Sequence, residues 1–121
     1  MNMIGHPKHV VKALDVGVDI ICAQAGEGGG HTGDLPASIL IPAVVDLVKG
    51  RTSPFTGKPI YVIGAGAVFD GRGLAANLSW GAHGVCEFSR ILNSTSLNFY
   101  NHFRGRYTFC CFCRSRCTQN A

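Results

Sequence analysis

Residues 18 to 34 constrain this chain more than any other stretch. Val18 to Ala23 is a short, almost continuous apolar run, and it breaks abruptly into a loop with five glycines in the nine positions 26 to 34. An apolar run without alternation has the pattern of a parallel strand covered on both faces. Glycines adopt backbone conformations that side chains disfavour, and they let a ligand or another segment lie against the main chain. Loops at the carboxyl ends of such strands are where α/β folds place their chemistry. The loop carries one histidine, His31. Imidazole suits general base work, since an unperturbed histidine titrates at about 6.5. The alternative is a surface loop in which the histidine has no chemical role.

The rest of the first ninety residues repeats the same grammar. Residues 7 to 16 predict a short helix, with proline in its first turn, Val10, Val11 and Leu14 as its apolar stripe, and Gly17 as its stop. After the loop 24 to 36, Ala37 to Val48 predicts a second helix with Leu40, Ile41, Val44, Val45 and Val48 on one face, closed by Gly50. Residues 51 to 58 have turn composition. Pro59 to Ile63 reads as the second buried strand, Leu74 to Trp80 as the third helix, and His83 to Cys86 as a third, short strand. Helices and strands in strict alternation imply a parallel sheet with right-handed crossovers.

A chain of 121 residues holds one domain at most. The net charge is +4, and much of the basic character is late, at Arg90, Arg104, Arg106, Arg114 and Arg116. It lacks the Lys/Arg patterning of a nucleic-acid reader, and no run is long enough to cross a bilayer. Nor does the start resemble a secretory signal, so a cytosolic chain without nucleic-acid or membrane partners is expected. Four of the six cysteines lie at 110, 111, 113 and 117; with only two in the first hundred residues, the body reads as reduced. The tail cysteines lack paired C-x-x-C knuckles, and no metal site is assigned. Residues 1–92 form one unit by composition, and 93–121 an irregular basic, cysteine-rich tail with neither helical nor strand period.

Several residues besides His31 are candidates for chemistry. Gln24, at the end of the first run, can hydrogen-bond a planar heterocycle. Glu27 either polarises a neighbouring group or is a solvated loop carboxylate. Gly64, Ala65, Gly66 and Ala67 follow the second strand and precede a helix, where backbone N–H groups make a phosphate cradle. Gly64-x-Gly66 falls short of the dinucleotide fingerprint, so a smaller phosphate-bearing cofactor is expected. Asp70 reads as the cap of the third helix.

These residues also carry a family resemblance. Ala23-Gln-Ala-Gly-Glu-Gly-Gly-Gly-His31-Thr-Gly33 resembles the Ala-Gln-Gly-x-Glu-Ala-Gly-Gly-His-x-Gly signature of the FMN-dependent nitronate monooxygenases. Asp70-Gly-Arg-Gly-Leu-Ala-Ala and Gly81-Ala-His-Gly-Val are similar to the same family, and Lys49 to Lys58 to its fungal-type members. The resemblance implies part of a (β/α)8 TIM barrel, about strands five to seven, followed by an unassigned tail. It implies FMN as cofactor, and a nitroalkane or nitronate with oxygen as substrates. By the same resemblance His31 is the base that removes the proton alpha to the nitro group. Gln24 and Gly30 face the flavin, and Gly64 to Ala67 is the phosphate loop. A second phosphate signature, Gly-Thr-Arg-Phe, is replaced by Phe88-Ser89-Arg90-Ile91, so Ser89 and Arg90 stand for its Thr and Arg while Phe88 occupies the glycine position. Beyond residue 92 the pattern is lost. Two alternatives remain open: an inactive barrel fragment, and a related flavin oxidoreductase such as an enoyl-thioester reductase.

Overall fold

The computed structural model describes residues 1–28, 32–66 and 68–86; the tail from 93 lies outside them. Seven elements alternate: β1 (Asn2–Ile4), α1 (His9–Asp15), β2 (Ile20–Gln24), α2 (Ala37–Val48), β3 (Tyr61–Ala65), α3 (Gly71–Ser79) and β4 (Gly84–Cys86). The strands form one parallel sheet in the order β1-β2-β3-β4. This βα repeat agrees with part of a (β/α) barrel-like fold. Among the described residues it holds four strands where the sequence predicted three, because β1 occupies the opening residues, which carried no assignment.

The two faces of the sheet are unlike. Ile4, Ile21, Ala23 and Val62 pack with Val10 and Ala13 of α1 and with Leu40, Ile41 and Val44 of α2 in the main core. Cys22, Ile63 and Ala65, with Ile20 and Cys86 beside them, form a smaller cluster on the opposite face. The alternation of strand side chains produces this split.

The helix ends follow from local chemistry. At the end of α1, Gly17 N–H donates to Leu14 O and Val18 N–H to Ala13 O, with Gly17 at φ +78°. At the end of α3, Gly81 and Ala82 repeat the pattern on Leu78 O and Asn77 O, with Gly81 at φ +91°. Both are the two-bond Schellman closure, in which a glycine takes the left-handed position. Asp70 caps α3 as expected: its carboxylate accepts from Arg72 N–H at 2.9 Å and Gly73 N–H at 3.2 Å. It also accepts from Arg72 Nε at 3.0 Å. The helix therefore starts at Gly71, before the first apolar residue that marks it in the sequence.

The second buried strand lies two residues later than the sequence pattern placed it. Pro59 bridges antiparallel to Thr52, and Ile60 N–H donates to Arg51 O, so these residues pair with the preceding loop. The strand continues instead to Ala65, whose carbonyl accepts from Ala25 N–H at 2.8 Å. The loop 51 to 58 is itself built. Buried Ser53 Oγ accepts from Phe55 and Thr56 N–H, and Thr56 Oγ1 donates to Asp19 at 3.1 Å. The Ser53 and Thr56 hydroxyls hold the Asp19 carboxyl below its usual range.

Candidate active site

The carboxyl ends of β1, β2 and β3 are drawn together by main chain lying directly on main chain. A Cβ on Gly33 would fall 2.7 Å from Gly5 Cα, and one on Gly5 would fall 2.7 Å from Gly33 Cα. A Cβ on Gly26 would fall 2.9 Å from Gly33 O. Real Cβ contacts essentially never come this close. The loops after β1 and β2 can therefore be this near only with glycine at these places. Gly66 adds the third strand: its φ is +91°, and a Cβ there would press on Ala25 and on Gly28 N at 3.2–3.3 Å.

The glycine loop is consequently anchored, not slack. Gly26 N–H donates to Leu35 O at 2.9 Å and Gly28 N–H to Ala25 O at 3.4 Å. Glu27 is an exposed loop carboxylate, one of the two readings its sequence context offered, but it also has a structural partner. Both its carboxylate oxygens accept from Ala37 N–H at 3.2 Å, at the first residue of α2. Pro36, at the capping position, supplies no side-chain bond, so Glu27 caps the helix from ten residues upstream. A carboxylate there also meets the positive end of the helix dipole.

Between the first two loops opens a cavity of about 230 Å³, lined by Met3, Ile4, Gly5, Gln24, Thr32 and Gly33. Gln24 is its amide-bearing residue. Its Nε2 donates to Ala25 O at 3.2 Å and stands where a Cβ on Gly28 would project. That bond uses one amide hydrogen and leaves the side-chain carbonyl as an acceptor at the cavity. Met3, Ile4 and Gly5 are site residues that sequence reading missed. Their only sequence signal is a three-residue strand, too short for any period to show.

Of the predicted phosphate loop, Gly64, Ala65 and Gly66 are described, and Gly64 and Ala65 lie within β3, paired with β2 and β4, instead of in a loop after the strand. Gly64 faces the helix layer, and the direction its Cβ would take is filled by the Asn77 carboxamide. Asn77 is 2% exposed; its Nδ2 donates to Gly73 O at 2.8 Å, and its Oδ1 meets no donor among the described residues. Gly64 is thus a glycine for packing against α3. Ala65 points to the other face, level with Gln24. Gly30, His31, Ala67, Ser89 and Arg90 lie outside the described residues, and His31 directly precedes Thr32 of the cavity wall. Among the described residues no group of histidines, cysteines and carboxylates is arranged to hold a metal ion, and no helix is long and apolar enough to cross a membrane.

Comparison with known proteins gives this geometry a context. The family model described as nitronate monooxygenase matches residues 1–103, running past the change of composition near residue 92. The chain is 44% identical over 104 residues to the (3aS,4S,5R,7aS)-5-hydroxy-7a-methyl-1-oxo-octahydro-1H-indene-4-carboxyl-CoA dehydrogenase of Mycobacterium tuberculosis, a match covering 86% of the chain and 27% of that protein. It is 34% identical over 111 residues to the probable nitronate monooxygenase of Staphylococcus aureus, covering 81% and 28%. Among solved structures, FabK from Thermotoga maritima superimposes with a TM-score of 0.58 at 30% identity, over 69% of this chain and 24% of that one. The chain thus spans about a quarter of the length of the proteins it matches.

Proposed function

This chain belongs to the nitronate monooxygenase family, and from that premise we propose that it forms part of an FMN-dependent oxidoreductase acting beside an acyl thioester. The observation that carries the reading is the crevice at the carboxyl ends of β1 and β2. There the Gln24 carboxamide lines one cavity with the apolar Met3 and Ile4, beside the close approach of Gly5 and Gly33. A carboxamide beside apolar side chains fits the edge of a planar heterocycle that both donates and accepts. The residues present therefore fit a flavin. Gln24 and Gly30 would hold its ring, Gly66 and Ala67 at the end of β3 its phosphate, with Ser89 and Arg90 as a second phosphate contact. Bound flavin supplies a reversible two-electron acceptor.

The names of two relatives support the thioester. The Mycobacterium tuberculosis protein is named for dehydrogenation of a carboxyl-CoA, and the Rhodococcus jostii protein of the same name is also 44% identical, over 89 residues. Nitronate oxidation with oxygen is the second reading, favoured by the names of the family model and the Staphylococcus aureus relatives. Both readings ask the same of His31. A carbon next to a thioester carbonyl or a nitro group bears an acidified proton, and the imidazole would take or return it.

The test is purification with an absorbance scan, then anaerobic titration of the bound flavin. Bleaching by an acyl-CoA or by NAD(P)H, with nitronate inert, supports the thioester reading. Bleaching by nitronate alone transfers the assignment to the second reading. Absence of flavin after supplementation with FMN refutes both. His31→Ala should keep the flavin spectrum and lose the bleaching; loss of the flavin itself would contradict the base role.

A further inference from the structure

Met3 is the apolar side chain of the crevice that the fold leaves uncovered. It lies on β1 in register with Cys22, so it points to the face opposite α1 and α2. Ile4, the next residue, is 5% exposed and packs into the main core on the other face. Met3 is 48% exposed and belongs to neither core cluster, yet it lines the same cavity as Gln24. Among the described residues β1 pairs only with β2, so the Met3 side of the crevice is its open side.

Much of the remaining wall is fixed. Gly5 and Gly33 are set by main chain lying on main chain. Gln24 is tethered by the bond from its Nε2 to Ala25 O. Met3 is different: an unbranched side chain with three rotatable bonds and a polarizable sulfur fits itself to what it meets, and it makes favourable contacts at the edges of aromatic rings.

The register also spaces the two functional side chains. Gln24 stands on β2 two residues beyond Cys22, the partner of Met3, and on the same face. With strands about 4.8 Å apart and a rise of about 3.3 Å per residue, the Met3 and Gln24 Cα atoms are roughly 8 Å apart. The crevice therefore has a polar pole, the Gln24 carboxamide, and an apolar pole, the Met3 thioether. The fused rings of a flavin divide in the same way. One end is a pyrimidinedione of carbonyl and N–H groups, and the other is a benzene ring with two methyl groups.

Resting on the flavin reading above, we propose that Met3 is the contact for the dimethylbenzene end of the ring, and that Met3 and Gln24 together fix which way round the ring lies. The opposite placement would set carbonyl and N–H groups against a thioether and methyl groups against a carboxamide. Both sets of polar groups would then lose partners, at a cost that the proposed placement avoids.

The test is a binding cycle on the intact chain, with FMN and its 7,8-didemethyl analogue as probes and flavin fluorescence as the readout. The parent should bind FMN about tenfold more tightly than the analogue, the worth of two buried methyl groups. Met3→Ala should cut that ratio to about threefold or less. Met3→Gln keeps the length of the side chain but makes the pole polar, and it should lower the ratio too. Gln24→Leu should weaken both probes alike and leave the ratio in place. General damage to the fold weakens both probes by one factor and cannot move the ratio. A parent that binds both probes equally overturns the placement and leaves the flavin reading standing. So does a ratio that both Met3 variants leave unchanged, or one that falls only in Gln24→Leu. Failure of the parent to bind FMN at all refutes the flavin reading and the placement with it.

Discussion

Replacing Gly33 with alanine tests whether the crevice is built by backbone contact. The added methyl would press on the Gly5 carbonyl oxygen and sit 2.7 Å from Gly5 Cα, against the 3.4 Å at which ordinary van der Waals contact begins, so the two loops must part by more than 3.4 − 2.7 = 0.7 Å. Both sides of the contact are main chain, and no side chain can rotate to absorb the change. Overpacking of this kind costs about 1–3 kcal/mol. With a urea m-value of about 1–3 kcal/mol/M, a cost near the middle of that range moves the unfolding midpoint down by roughly 1 M. Gly50→Ala serves as the control. Gly50 has φ +75° and nothing within 4 Å of its Cβ position, so its cost, about 1–2 kcal/mol, comes from backbone conformation alone. Equilibrium urea unfolding followed by circular dichroism measures both variants. On the proposed function, Gly33→Ala should also weaken FMN retention, whereas Gly50→Ala should leave it intact. A Gly33→Ala variant within about 0.5 kcal/mol of the parent, the ordinary scatter of neutral surface changes, with FMN retention unchanged, would refute the reasoning.

Three further outcomes follow from particular contacts. Val62 N–H donates to His83 Nδ1 at 3.1 Å, in a residue with no exposed surface. His83→Ala should therefore cost about 1–3 kcal/mol and speed hydrogen exchange at the Val62 amide; unchanged exchange would contradict it. Arg72, first through its side chain, holds the Asp70 carboxyl below its usual 3.8. A depressed folded pKa means that the stability Asp70 adds is present above 3.8 and is lost as pH falls through the lower folded value. The difference in melting temperature between parent and Asp70→Ala should thus shrink on acidification below 3.8, and a difference that grows would invert the assignment. Gly64→Ala places a methyl on the Asn77 carboxamide, so it should destabilise the parent strongly and an Asn77→Ala background much less. Additive costs in a double-mutant cycle would show that the two do not meet.

How much of this was legible beforehand depended on what each feature requires. The bounds of α2 follow from its periodicity and from Gly50, and the structure has the same ones. The Asp70 cap is local, formed within three residues, and was readable for that reason. β1 was invisible because three residues carry no period; what makes Asn2–Ile4 a strand is its pairing with residues 21 to 23. The cap that Glu27 provides for Ala37 spans ten residues and exists only once β2 and α2 are docked. The inner cluster that Cys22 shares with Ile63, Ala65 and Cys86 joins residues as much as 64 apart in sequence and depends on the register of three strands. Local chemistry was readable, and contacts created by strand register were not.

That distinction changes what the glycines can be used to argue. In sequence, a loop with five glycines invites a ligand as the explanation, because glycine permits close approach. In the structure, Gly5, Gly26 and Gly33 are accounted for by one another, Gly64 by Asn77, and Gly66 by Ala25 and Gly28. Each would be needed with nothing bound, so its being glycine is by itself no evidence for a cofactor. What packing leaves unexplained is Gln24. A partly buried carboxamide spends one hydrogen on its own neighbour's carbonyl, and its remaining capacity faces a crevice walled by Met3 and Ile4. An amide so placed costs stability unless something meets it, and a core that needed only to pack would be served better by an aliphatic side chain. Gln24→Leu should therefore leave the chain as stable as the parent or more so while reducing FMN retention. Urea unfolding and flavin content measured on the same preparation separate the two effects. Loss of stability with FMN retention unchanged would return Gln24 to the fold and remove it from the site.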